Sequence, residues 1–439
     1  MSTLQHYLAQ FTDAAQPRIH SYASHVHSTL TFKALAKQAQ VFRSQHTELG
    51  GARVAVTMTA SSDVLTQLVA LDGYAAELIL LPVDCTVPSN CEFHINERGQ
   101  LRKLQVPASS TLPVVTQWSL LGENQKLVTY TLHELAANEL VQRGRREQPL
   151  RWGVMQEPAE LAGLLIWIRA LKHGEDIVLA QADSLKTLAQ MFMHAEVTAI
   201  SAPPRLWRSF MAWGEVARLG LQLAIVNGGL VDAPTMQRLR ARFADVQVAH
   251  AFSYTQAGVS WLVTDGQVGF PGALFEAAGA SGVVGGSAVV SGASSAGAPA
   301  VDAGVAGLGT VRAVLRVNQR RLDIECLDSG TRISTNYLVE QAADGRVHML
   351  GHADNVVSVG GREVHLEQVE TALLAVPEVL DVQAGSMSDP VLGALVRVDI
   401  LAPEHRTVAA RKRFKETLQE HCRNVLEPWQ RPARYNFHG

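Results

Sequence analysis

Helix-length segments and short apolar runs alternate along most of this chain, and the short runs are apolar at consecutive positions instead of every second one. Residues 53–58 (Arg-Val-Ala-Val-Thr-Met) and 78–83 (Leu-Ile-Leu-Leu-Pro-Val) are two such runs, following segments of helical period at 32–45 and 62–75. A strand with one wet face alternates; one that is apolar throughout is buried on both faces, which requires a mainly parallel sheet with helices packed on each side. The pattern returns with strands expected at 151–155, 176–179, 199–200, 223–226 and 246–251, separated by helices at 158–171, 184–194, 203–211 and 233–243. Strands joined through helices imply right-handed crossovers. The expected fold class is therefore α/β, with a large layered N-terminal domain built on mainly parallel sheets.

The composition changes at 279–309, a connection of Gly, Ala, Ser and Val with hardly any charge. Beyond it, paired strands are expected at 311–317 and 321–326, and short strands at 347–350 and 356–359 around a turn. An amphipathic helix at 366–374 ends before Pro377, and a strand at 391–401 and a helix at 408–425 complete a small α+β module. The expected division is 1–350 for the large domain and 351–439 for the small one, joined by a hinge near 351–354. At about 150 residues per domain, a chain of 439 residues suggests two or three domains.

The net charge of −3 and the shortness of every Lys/Arg cluster exclude a nucleic-acid partner. No run of 18 apolar residues and no basic, then apolar, leader is present, so a cytoplasmic protein without a membrane segment is expected. Cys85, Cys91, Cys326 and Cys422 are scattered and read as reduced thiols. Of the 16 histidines, His348 and His352 are four apart, but the strand-and-turn pattern around Gly351 keeps them off one helix face, so no metal site is expected.

One stretch carries far more information than these patterns. Ser334-Thr335-Asn336 is followed by Asp344-Gly345, then by Gly351-His352-Ala353-Asp354-Asn355-Val356-Val357 and Gly360-Gly361-Arg362-Glu363-Val364. In order and spacing this resembles the adenylate-forming superfamily (acyl-CoA synthetases, nonribosomal-peptide adenylation domains and luciferases). The family pattern there is Thr-Gly-Asp, Asp-Gly, then Gly-Arg-x-Asp-Asp-x-Ile-Lys-x-x-Gly. Two further segments join it. Asn227-Gly228-Gly229 and Phe252-Ser253-Tyr254-Thr255-Gln256 are similar to the family's Gly-Gly and Tyr-Gly-x-Thr-Glu strand ends. Ser119-Leu-Leu-Gly-Glu-Asn-Gln-Lys126 falls where the family has its Ser-Gly-Thr-Thr-Gly-x-Pro-Lys phosphate loop.

The resemblance implies nucleotide contacts at Lys126, Gly228, Gly229, Tyr254, Thr255, Gln256, Asn336 and His352, and a hinge at Asp354. It also implies a swinging loop at Gly360-Gly361 and a substrate pocket lined from 207–213 and 228–255. It names no catalytic residue that this chain retains. Leu120 stands where the phosphate loop has a glycine, and a left-handed conformation there costs about 1–2 kcal/mol. Glu123 puts a carboxylate where phosphates are expected. Gln256, Asn336 and His352 replace the family's glutamate, aspartate and arginine, each a loss of charge. The sequence reaches Gly439 before the family's Gly-Lys motif, whose lysine stabilises developing charge.

The leading expectation is a degenerate member that makes acyl-adenylates poorly. It acts by binding an acyl group, an acyl or peptidyl carrier protein, or an active paralogue in a biosynthetic pathway, and needs no cofactor. The alternative is an active AMP-dependent ligase that uses ATP and Mg²⁺ to activate a carboxylic acid for transfer to CoA or a carrier-protein thiol. A third course, reuse of the acyl pocket without nucleotide, has no Gly-x-Ser-x-Gly elbow or metal-ligand cluster behind it.

Overall fold

The computed structural model of the chain describes residues 3–11, 16, 18–23, 26–104, 115–137, 149–243, 245–276, 289–290, 313–326, 330–405 and 407–438. Except for Val289–Val290, which forms a short edge strand, the 279–309 connection lies outside the described residues.

Two large sheets carry the N-terminal part. In the first, Arg53–Thr57 and Glu77–Leu81 are central and parallel, with Phe93–Ile95 on one side and Gln117–Leu121 on the other. Antiparallel edge strands, Leu101–Lys103 and Leu127–Thr131, close both ends. In the second sheet, Gln247–Tyr254, Leu223–Val226, Ala199–Ala202, Arg151–Val154, Asp176–Gln181 and Ile19–Ala23 are successive parallel neighbours. Its antiparallel margins are Val26–Leu30 and Val259–Val263. The expected parallel α/β architecture is what the chain adopts.

The helix Leu161–His173 lies between the two sheets. Every residue from Leu161 to Leu171 is buried, as is every residue of Val64–Leu71 in the helix Ser62–Leu71. Helices apolar on all sides belong in the interior, and this pair fuses the two sheets into one core containing Val54, Val56, Trp152, Ile177 and Leu179. Gly174 ends the interior helix in a left-handed conformation at φ 67°. Arg169, buried beside it, is satisfied by Glu175, with Nη2 to Oε1 at 2.8 Å.

A four-stranded antiparallel sheet follows, ending in the paired strands Thr331–Gln341 and Val347–His352. The small C-terminal part then has a core of its own, including Val364, Val369, Val398, Phe414 and Leu418. It combines the hairpin Val356–Val359/Arg362–His365, the helices Leu366–Leu374 and Val408–Val425, and a sheet of Asp381–Asp389, Gly393–Leu401 and Arg434–His438. This is the small α+β domain expected.

Several elements were not expected. The hairpin Ile19–Ala23/Val26–Leu30 is rich in His, Ser and Thr, and its outer strand is largely exposed, so it carries no apolar run. The strand Asp381–Asp389 (Asp-Val-Gln-Ala-Gly-Ser-Met-Ser-Asp) is mostly polar because only its first two residues are buried. The strand expected at 391–401 begins at Gly393, since 390–392 form the turn that joins the pair.

Candidate functional site

The carboxyl ends of the parallel strands in the nine-stranded sheet converge on a polar cluster, the place where open α/β sheets take their ligands. Asn227 follows Leu223–Val226, and its Nδ2 donates to Ser253 Oγ at 3.2 Å; Ser253 and Ser260 share a hydrogen bond of 2.7 Å. Ser201 Oγ donates to Gln156 Oε1 at 2.9 Å, while the buried Nε2 of Gln156 has no hydrogen-bond partner. Gly228, at φ 82°, donates its N–H to Asn227 Oδ1 at 2.8 Å. A Cβ on Gly228 would come within 3.3 Å of Gln156 Nε2, so both the backbone conformation and this neighbour favour glycine.

Two cavities open here, on either side of Gly229 and Leu230. The smaller, about 370 Å³, is bounded by Gly228, Gly229, Tyr337, His352, Glu367 and Arg205. The larger, about 600 Å³, lies against His250, Phe252, Phe270, Met349 and Leu350. Both are roofed by residues of the small domain, among them Thr371. Trp207, expected to line a pocket, is instead core: it is fully buried, and its Nε1 donates to Ile225 O at 2.8 Å.

The segment Ser119–Lys126 is not an open loop. Ser119 lies in mid-strand, fully buried, its Oγ donating to Glu77 Oε1 at 2.5 Å and bonded to Thr129 Oγ1 at 2.8 Å. Leu120 faces Val128 in the same ladder, so the strain expected at Leu120 does not arise. The hairpin turns over 122–126, closed by Gly122 N to Lys126 O at 2.8 Å, and the positive φ falls at Gln125 (58°). The Lys126 side chain is exposed at the turn.

The tip of that hairpin rests on the other expected motif. Tyr254 hydrogen-bonds the Glu123 carboxylate; burial first and this carboxylate second push its phenol well above the ordinary tyrosine range. Burial and Glu123 raise Tyr337 likewise. A Cβ at Gly122 would lie 3.2 Å from Gln256 Nε2, and Tyr130 OH donates to the carbonyl of Thr255. Tyr254, Thr255, Gln256 and the 119–126 segment are thus brought together, with a carboxylate at the junction.

Asn336, His352 and Asp354 also meet. Asn336 Nδ2 donates to Asp354 Oδ2 at 3.1 Å, and His352 Nδ1 stands 3.2 Å from the same oxygen. His352 packs edge-on against Tyr337, and its backbone N–H donates to Glu367 Oε1 at 3.1 Å. Gly360 and Gly361, at φ 59° and 77°, form a hairpin turn held to the neighbouring turn by Gly360 N to Leu392 O at 2.9 Å.

Motif spacing missed three groups at this face. Burial pushes His250 down to about 4, while its Nε2 stands 3.0 Å from Gly269 O. Burial pushes Glu370 up to about 7, its Oε1 accepting from Ala384 N at 2.8 Å. Arg208, buried, joins the two domains: Nε and Nη2 donate to Asp381 Oδ1 at 2.9 and 2.7 Å, and Nη1 donates to Asp232 Oδ2 at 2.9 Å. The one available signal was Arg205 and Arg208, three apart on an expected helix. Among the described residues no group of three or more His, Cys, Asp or Glu is placed to hold a metal ion, and no helix is long and apolar enough to cross a membrane.

No family profile matches the chain. Among solved structures, an E. coli MenE variant with bound OSB-AMS superposes with a TM-score of 0.69, covering 99% of this chain and 94% of that one at 14% identity. The fold is that of the adenylate-forming superfamily. The anthranilate CoA ligase AuaEII in complex with anthranoyl-AMP agrees equally well, with a TM-score of 0.69 and 12% identity over 100% and 93% of the two chains. Unliganded O-succinylbenzoate coenzyme A synthetase from Bacillus subtilis gives 0.64 at 15% identity over 98% of each.

Sequence similarity is more local. Human mitochondrial acyl-coenzyme A synthetase ACSM2B is 27% identical over 94 residues, which is 21% of this chain and 16% of that protein. The fatty acid–[acyl-carrier-protein] ligase MmaC of Mycobacterium marinum is 27% identical over 101 residues, 23% and 19% respectively. The matched stretch thus spans less than a fifth of these curated relatives. The adenylate-forming fold established by the superpositions is the one that the motif spacing implied.

Proposed function

We propose that this adenylate-forming fold works as a binding protein: it holds an acyl group, alone or on a carrier protein or active paralogue, and makes acyl-adenylate poorly. The observation behind this reading is the Glu123 carboxylate, bonded to Tyr254 on a hairpin turn where relatives in the resemblance carry a phosphate loop. The turn spends its Gly122 and Lys126 N–H groups on its own carbonyls, so they are not offered to an anion. Two like unit charges 4 Å apart repel by about 4 kcal/mol at an effective dielectric of 20, an upper limit for this exposed carboxylate.

The other substituted positions point the same way. Gln256 adds no charge, and Asn336 Nδ2 and His352 Nδ1 are both turned to Asp354. These residues do not fit a magnesium–triphosphate group. The deciding experiment is ATP–pyrophosphate exchange with a broad panel of carboxylic acids. Exchange no faster than the no-enzyme control supports the reading, and robust exchange with any acid overturns it.

A second reading keeps the chain as an AMP-dependent ligase that activates a carboxylic acid for CoA or a carrier-protein thiol, with ATP and Mg²⁺ as cofactors. It is favoured by the shared cavity of Gly228, Gly229 and His352, with Asp354 as the hinge that the resemblance implies. Binding to the folded state raises its stability, by about 2.7 kcal/mol at a hundredfold excess over Kd. A rise of several degrees in melting temperature with Mg-ATP supports this alternative; no shift at millimolar ATP removes it.

A further inference from the structure

A third cavity, of about 400 Å³, lies where two helices of the large domain meet the segment 377–380 of the small one. Among the described residues, Arg208 alone lines both this space and the smaller cavity at the candidate face. Three guanidiniums reach it: Arg208 from the helix Pro204–Met211, and Arg238 and Arg242 from the helix Ala233–Arg242. Arg238 and Arg242 are four apart on one helix face, a spacing at which like charges repel. The other walls are apolar, with Met211 and Ala241 on the large domain and Pro377 and Leu380 on the small one. Among the described residues that line it there is no Asp or Glu. The carboxylates beyond its walls are taken up or wet. Asp381 accepts from Arg208 and lies 2.8 Å from Arg205 Nε, Asp232 accepts from Arg208 and Thr235, and Glu378 is exposed.

The three cations are not equally satisfied. Arg208 engages Asp381 through Nε and Nη2 and Asp232 through Nη1. Arg238 meets only neutral oxygens: Nη1 donates to Val379 O at 2.9 Å, and Nη2 to Leu374 O at 2.6 Å and Val376 O at 3.1 Å. Burial works against its charge; Asp232 offsets this in part, and Arg208 adds to it. Arg242 Nη2 donates to Trp213 O at 3.1 Å and Gly214 O at 2.7 Å, again neutral acceptors. Its Nε is buried with no hydrogen-bond partner. A buried donor left unpaired is costly, and more so when it belongs to a charged group.

We propose that this cavity binds a small organic carboxylate, with its anionic end between Arg238 and Arg242 and its apolar body against Met211, Pro377 and Leu380, so that the ligand bridges the two domains away from the candidate face. The carboxylate gives the unpaired Nε an acceptor and sets one negative charge beside two guanidiniums. Hydrogen bonds between such ions are shorter and about twice as strong as those between neutral groups. The volume is within the range of pockets that hold small organic molecules. Inorganic phosphate answers the charges but leaves the apolar walls empty, and a neutral amide does the reverse. The proposal stands apart from whether the candidate face makes acyl-adenylate, because Arg208, the residue common to both places, is already committed to two carboxylates.

The test is isothermal titration of the full-length protein with sodium 4-phenylbutyrate at low chloride, with amide hydrogen exchange measured on the same complex. The expected result is saturable binding that slows exchange in 238–242 and 376–380. Arg242→Gln removes the unpaired donor and its charge, and Ala241→Trp fills the space from an exposed helix position. Each is expected to weaken this binding at least tenfold, and either suffices if the other fails to fold. 4-Phenylbutyramide is expected to leave exchange in both segments unchanged, and inorganic phosphate to displace the acid only in at least tenfold excess over it. Absence of saturable binding, unchanged affinity in the folded variants, or equal binding of the amide overturns the inference. So does displacement by phosphate at concentrations equal to the acid, or protection confined to 228–230 and 252–256, which puts the acid at the candidate face instead.

Discussion

Replacing His250 with Gln isolates the electrostatic cost of the cavity floor. His250 is 2% exposed; burial is the main reason its protonated form is disfavoured, and Asp265 and Arg346, which face it, are paired with each other. Its folded pKa is about 4, against an ordinary value of 6.5. Because the folded value is depressed, the unfolded chain binds the proton first. The contribution is fully present above pH 6.5 and is lost as pH falls toward 4. At about 1.4 kcal/mol per pH unit, the gap between the two values caps the effect at about 3 kcal/mol, of which about 2 kcal/mol is gone by pH 5.

The amide introduced by His250→Gln has no proton to gain in this range and can still donate to Gly269 O. In the wild type the urea midpoint is expected to fall between pH 7.5 and pH 5 by about 0.7 M more than in the variant, taking an m value of about 3 kcal/mol/M. Comparing the two slopes removes every other titrating group shared by the proteins. Parallel midpoint-versus-pH curves for wild type and variant show that His250 is not the buried neutral group described.

Glu370 titrates with the opposite sign. Its folded pKa of about 7 lies above the ordinary 4.5, so its contribution is present below pH 4.5 and lost as pH rises through 7. Glu370→Gln is expected to stabilise the protein at pH 8 by on the order of 2 kcal/mol after discounting for partial exposure, and to do nothing at pH 4; a shift independent of pH contradicts this. Arg208→Met leaves Asp232 and Asp381 short of a buried partner and is expected to cost about 3–5 kcal/mol, with calorimetry resolving separate transitions for the two domains. Adding Asp381→Asn is expected to recover part of that loss, whereas additive losses refute direct coupling. Glu123→Gln keeps a hydrogen-bond acceptor for Tyr254 but removes the charge, and is expected to give a melting-temperature rise of at least about 2 °C with about 5 mM Mg-ATP, corresponding to roughly a tenfold gain in affinity. Equal null responses of variant and wild type mean that the turn's charge is not what excludes nucleotide.

The interior was readable because burial on both faces writes itself as a continuous apolar run. Strands such as Leu223–Val226 and helices such as Leu366–Leu374 and Val408–Val425 fall where periodicity and end signals place them. Elements with a wet face gave weaker signals, as Val26–Leu30 and Asp381–Asp389 show. At the candidate site, the spacing of Asn336, His352 and Asp354 was legible because adjacent strands and a single turn bring them together. The contacts of Glu123 with Tyr254, and of Arg208 with Asp381 across 173 positions, were not, since spacing along a chain does not say which turns meet in space. The segment Ser119–Lys126 misled for a physical reason: motif register placed a loop there, while buried Trp118 and Leu120 were the stronger, strand-forming signal.

How the substituted motif positions are satisfied bears on what kind of site this is. A site built to grip a charged ligand keeps donors and acceptors poised and unspent, and it is less stable for doing so. Here Asn336 and His352 close on Asp354, Tyr254 closes on Glu123, and the hairpin turn closes on itself. Asn336 and His352 each remove a charge and turn to Asp354, while Glu123 adds a charge that is taken up by Tyr254. Two buried atoms escape this closure: Gln156 Nε2, beside Gly228, and Glu367 Oε2, on the wall of the smaller cavity. An amide donor and a carboxylate oxygen suit a ligand with a carbonyl and a hydroxyl or amide N–H, and the carboxylate repels a polyphosphate. With a carboxylate as one of the two unspent groups, the residual hydrogen-bonding capacity of this face disfavours an anion.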